Sequence, residues 1–84
     1  MTKSAGIKVK VLHFNDGEKE ISLNRDISLM SALVNAGYSE IPNNWFVMVN
    51  TEDIEEKNFG STELENGDVI TIVGNVAGGG YFVG

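Results

Sequence analysis

The sequence predicts an α+β domain, a mixed sheet of four to five strands with one helix packed across it. Three observations carry this expectation. Ile7, Val9 and Val11 alternate with Lys8 and Lys10, the period of a strand with one buried face. A single stretch, Ser28 to Gly37, combines helical periodicity with signals at both ends. Val69 to Val73 forms a continuous apolar and β-branched run, suited to a strand buried within a sheet.

The elements follow in order. After the first strand, Asn15-Asp16-Gly17-Glu18 supplies an Asp-Gly pair that tolerates positive φ, so the chain is expected to reverse there. The second strand alternates Ile21 and Leu23 with Glu20 and Ser22. Leu12 and Phe14 fall on the face opposite Val9 and Val11, as an exposed apolar patch open to a partner or as an ordinary strand-end contact. His13 reads as a surface residue at the end of the strand. In the helix, Ser28 is the N-cap, Leu29, Ala32, Leu33 and Ala36 follow i, i+3, i+4, i+7, and Gly37 suits the left-handed position after the last turn. Met30 and Val34 widen the apolar stripe and read as core.

Pro42 marks a loop, and Trp45 to Asn50 is too rich in aromatic and β-branched residues for anything but a strand. Thr51 to Glu63 is polar around the anchors Ile54 and Phe59, which predicts a turn, a brief extended piece and an irregular loop with solvated acids. Asn66-Gly67-Asp68 then turns the chain into the last strand. Because the first and last strands carry the most continuous apolar runs, they are expected to pair in parallel at the centre of the sheet.

Composition narrows the chemistry. A domain of 84 residues has one modest core, since a chain of this size buries only about 60% of its unfolded surface. There is no cysteine and only one histidine, so thiolate nucleophiles, sulfur-ligated metals and histidine clusters are excluded. Twelve acidic residues against six basic ones give a net charge of −6, a poor match for nucleic acid, whose phosphates call for Lys or Arg. No apolar stretch resembles a signal peptide or the roughly 20 residues of a membrane span. The expectation is therefore a cytoplasmic protein with no cofactor and no membrane or nucleic-acid partner. No Ser-His-Asp set or phosphate-cradling Gly-x-x-x-x-Gly-Lys is present, and an enzyme is not expected.

Folding does not account for the tail Gly74-Asn75-Val76-Ala77-Gly78-Gly79-Gly80-Tyr81-Phe82-Val83-Gly84. Three consecutive glycines have no side chains to pack and much conformational entropy to lose. The expected organisation is a disordered N-terminus (1–6), a folded domain (7–73), a flexible glycine tail (74–80) and a short extension (81–84).

The element order, together with Val47-Met48-Val49-Asn50-Thr51-Glu52, the run Glu63 to Val73 and Val76-Ala77-Gly78-Gly79-Gly80, resembles the sulfur-carrier branch of the ubiquitin-like β-grasp family. That branch includes the small subunit of molybdopterin synthase and the thiamin-synthesis carrier. The resemblance spans roughly residues 7 to 80 and implies a domain that catalyses nothing itself. Its C-terminal glycine carboxylate is adenylated by an ATP-dependent activating enzyme and passed to a thiol, an amine or sulfide. Gly78, Gly79 and Gly80 are then the activation and conjugation tail, and Leu12, Phe14 and Val76 are the apolar candidates for partner contact. Glycine suits the task because a segment without Cβ atoms can thread a narrow channel and leave the terminal carbonyl open to attack.

Simple carriers usually stop at the second glycine, whereas here Tyr81, Phe82, Val83 and Gly84 follow. By resemblance to processed ubiquitin-like precursors, these four are an extension removed by a peptidase. Bacterial ubiquitin-like conjugation operons encode such carriers beside an activating enzyme, a conjugating enzyme and a processing metalloprotease, and the implied product is a modifier attached to protein targets. A sulfur carrier for cofactor biosynthesis is the alternative. A third reading makes Tyr81-Phe82-Val83 a strand that docks on a second copy or a partner, a route to self-assembly by β-addition.

Overall fold

The alternation that begins at Ile7 runs through a seven-residue strand, β1 (Ile7–His13), which turns back into β2 (Gly17–Leu23). The computed structural model describes residues 6–74. The two strands pair antiparallel from Ile7 opposite Leu23 to His13 opposite Gly17. Gly17 sits at φ 86°, which the Asp-Gly pair was expected to allow.

Helix α1 (Leu29–Asn35) starts where the sequence places it: Ser28 is the N-cap, and its side chain accepts from the Ser31 N–H at 3.1 Å. At the other end the Tyr38 N–H donates to the Leu33 carbonyl and the Gly37 N–H to the Val34 carbonyl. With Gly37 at φ 99°, these two bonds make a Schellman close. Lys19, reaching up from β2, donates to the Ala36 carbonyl at 2.8 Å and so places a cation at the helix's negative end.

β3 (Trp45–Val49), β4 (Glu52–Ile54) and β5 (Val69–Gly74) complete a five-stranded sheet in the order β2-β1-β5-β3-β4. β1 and β5 run parallel in the middle, as their apolar runs predict, and β5 continues through Gly74, one residue past the expected limit. Leu29, Ala32, Leu33 and Ala36 from the helix close over Val9, Val11, Val47, Ile70 and Ile72 from the sheet. Phe59 and Leu64 join the core from the connection between β4 and β5.

Three expectations need correction. Met30 and Val34 are not core: they are 38% and 48% exposed, because a helix of two turns covers the sheet with the single stripe from Leu29 to Ala36. The connection expected to be an irregular loop contains a 3-10 helix (Glu56–Ser61), anchored by buried Phe59 and closed by the Ser61 and Thr62 hydroxyls donating to the Asn58 carbonyl. His13 is not at the surface; it is only 7% exposed. The inward alternation of Val9 and Val11 simply continues to position 13.

Candidate functional site

β5 ends at Gly74, opposite Trp45 of β3, and four rings gather at this end of the sheet. His13 completes β1, Phe14 follows it in the turn, Trp45 opens β3, and Tyr38 comes from the segment after the helix. The His13 ring stacks on Phe14 (centroids 4.4 Å, 24° between planes) and on Tyr38 (4.6 Å, 11°). Trp45 meets His13 and Phe14 edge-on at 4.8 and 5.3 Å, the arrangement that brings a positive ring edge against a negative face. Phe14 remains 50% exposed although three of its neighbours are aromatic or backbone.

The Phe14 ring lies across Gly74. A Cβ at position 74 would stand 2.5 Å from Phe14 Cζ and 2.9 Å from both Cε atoms, closer than carbon atoms approach. This glycine is therefore a place of close approach between a ring and the backbone where the tail begins. Two residues earlier on the same strand, the Ile72 carbonyl accepts from the Phe14 N–H at 3.1 Å and adds to the hold.

Polar contacts fix the rings. His13 Nδ1 accepts from the N–H groups of Asn15 and Asp16 at 3.0 and 3.1 Å, which assigns it as the unprotonated nitrogen and puts the proton of the neutral ring on Nε2. The Asp16 carboxylate at 3.8 Å from Nδ1 is then a neighbour rather than an ion-pair partner. Nε2 is buried without a hydrogen-bond partner. The Tyr38 hydroxyl donates to Asp16 Oδ2 at 2.9 Å, and the Lys19 ammonium stands 4.7 Å from the Tyr38 ring centroid. Burial first, then the hydrogen bond to Asp16 and its charge, push the Tyr38 hydroxyl up to about 12.

Of the residues singled out from sequence, Leu12 lies half-buried in the middle of the sheet, beside Thr71 and Glu18, while Phe14 stands at the root of the tail. Val76, the glycines Gly78, Gly79 and Gly80, and the extension Tyr81, Phe82, Val83 and Gly84 lie outside the described residues. The sequence alone does not mark His13, Tyr38, Trp45 and Gly74 as site residues. For His13 the signal was present in the strand alternation; for the other three it was absent, because only the strand order brings them together. The hollow beside Trp45, lined also by Ile41, Pro42, Phe46, Ile54 and Phe59, is open and offers no nucleophile paired with a base. Among the described residues, no group of three His, Asp or Glu side chains could hold a metal ion. No helix among them is long and apolar enough to cross a membrane.

A five-stranded mixed sheet with the last strand beside the first at its centre, crossed by one helix, defines a ubiquitin-like β-grasp protein. The model of the ThiS family matches residues 10–79, and the chain belongs to that family. The fold is also similar to a solved ubiquitin of Caldiarchaeum subterraneum, at a TM-score of 0.51 and 14% identity over 89% of this chain and all of the other. No curated protein matches the sequence. Proteins of the ThiS family are small carriers that meet activating enzymes.

Proposed function

We propose that this chain is a ubiquitin-like protein modifier whose C-terminal glycine is exposed by removal of Tyr81–Gly84 and then activated. The observation that carries the reading is where the family match stops. It closes at Gly79, on the second residue of the Gly78–Gly80 run, and leaves the aromatic extension outside. Hydrolysis after Gly79 or Gly80 frees a carboxylate, which attacks the α-phosphorus of ATP on an activating enzyme and releases pyrophosphate. A thiol of that enzyme or of a conjugating enzyme displaces AMP from the acyl-adenylate, and a target amine then displaces the thiol to leave an amide. The domain's own contribution is to be recognised and to deliver a terminus without side chains.

Membership of the ThiS family supports a second reading, in which sulfide takes the acyl group and the product is a thiocarboxylate for cofactor synthesis. Intact-mass measurement of the protein recovered from its native cells separates the two. The modifier reading expects loss of residues from Tyr81 onward, an end at Gly79 or Gly80, and heavier adducts that survive thiol reductants. A thiocarboxylate with no stable adduct selects the sulfur carrier. Retention of Gly84 on all conjugated or sulfur-loaded protein overturns the processing step.

A further inference from the structure

We infer that Phe14 is the positioning residue of the tail: its ring, laid across Gly74, sets the direction in which the chain leaves the sheet toward an activating enzyme. The inference rests on the carrier reading for its purpose and on the geometry for its substance. A half-exposed phenylalanine in a turn contributes little to a core. Here, however, the ring is held from several sides, by the stack on His13 and the edge of Trp45, and its far end occupies the space that a side chain at position 74 would need. Trp45 is also the residue paired with Gly74 across the sheet. The last residue of β5 is thus paired across the sheet with Trp45 and covered by the Phe14 ring from the turn after its parallel neighbour.

The support continues inward. His13, on which Phe14 stacks, is kept in place by two backbone N–H donors and by Tyr38, and Tyr38 by Asp16. A carboxylate that must enter another protein's active site loses less freedom on binding if its approach is already restricted. A Cβ at position 74 would push the ring aside, and the three atoms nearest to where it would stand all belong to Phe14. The residue acts through Gly74 and touches no reacting atom.

The test uses the full chain, processed to its glycine end, and reads two properties of the variants Phe14→Ala, Gly74→Ala, their double and Phe14→Tyr. On the free protein, NMR relaxation gives the amide order parameters of Gly74 and Asn75. Both should fall in Phe14→Ala and in Gly74→Ala, and Phe14→Tyr should keep the wild-type values because it keeps the ring. In ATP-dependent adenylation by the cognate activating enzyme, KM should rise about tenfold in either single variant with kcat unchanged, as expected when restriction of the free state is lost. The double variant should be no worse than the singles, since both remove one contact. Unchanged order parameters in Phe14→Ala, or additive losses in the double, overturn the inference. Thermal unfolding of each variant separates these effects from loss of the fold. If the wild-type protein is not adenylated by any enzyme, the carrier reading fails, and the order parameters alone then decide whether Phe14 positions the tail.

Discussion

Asn50 stands at φ 58°, a left-handed conformation that asparagine tolerates better than most residues, and its side chain explains why two separated motifs belong together. Its Oδ1 accepts from the Val69 N–H at 3.1 Å and its Nδ2 donates to Asp68 at 3.2 Å, so the turn after β3 is tied to the start of β5. Tyr38 makes a comparable link between the helix end and the first hairpin through Asp16, and it carries a testable pH dependence. Its hydroxyl is raised from 10.0 to about 12 by folding. Between those values the unfolded chain has released the proton while the folded chain still holds it, so the unfolded state binds fewer protons and stability falls as pH rises through the window. In Tyr38→Phe the corresponding part of that alkaline decline should vanish, at a cost near neutrality of about 1 kcal/mol for the lost hydrogen bond. Urea unfolding of both proteins at several pH values from 9 to about 12 gives the two slopes. Equal slopes would mean that Tyr38 does not keep its proton.

At the scale of elements, the helix shows how a short segment is made to hold. Seven residues are too few for a helix to persist alone, so α1 depends on its caps and on burial of one stripe. Leu33 is fully buried, whereas Val34, the next residue, is half exposed. Leu33→Ala should therefore cost about 2 to 5 kcal/mol through lost contacts and a cavity. Val34→Ala should change stability by no more than about 0.5 kcal/mol. Denaturant midpoints measured side by side check the contrast, and a large loss in Val34→Ala would return that residue to the core. The hairpin has a matching division: His13 faces inward, Phe14 outward, and the turn between β1 and β2 connects the core to the root of the tail.

For the whole molecule, the buried core among the described residues runs from Val9 to Ile72, while the proposed chemistry belongs to glycines beyond the last strand. If the tail acts as proposed, replacing Gly79 and Gly80 together with valine should leave thermal unfolding within about 0.5 kcal/mol of the wild type, the range usual for substitutions away from packing. Adenylation should nevertheless collapse, because two β-branched side chains restrict the backbone and crowd the carbonyl. An ATP-dependent activation assay on the folded variant reads the result. Full activation would make the glycine run a plain linker and favour docking by Tyr81-Phe82-Val83.

Local patterns were enough to place the strands, the helix with its caps, and the parallel pairing of the first and last strands, because period, turn chemistry and apolar content act over a few residues. The same reading located the glycine run and the extension, whose signal is composition alone. What they could not supply is the company each residue keeps. Val34 carries the same apolar signal as Leu33, and only the width of the sheet beneath a two-turn helix leaves it in water. Phe14 and Gly74 are sixty positions apart, and their contact exists because β5 was inserted between β1 and β3, a long-range arrangement decided by which strand pairs bury the most apolar surface together.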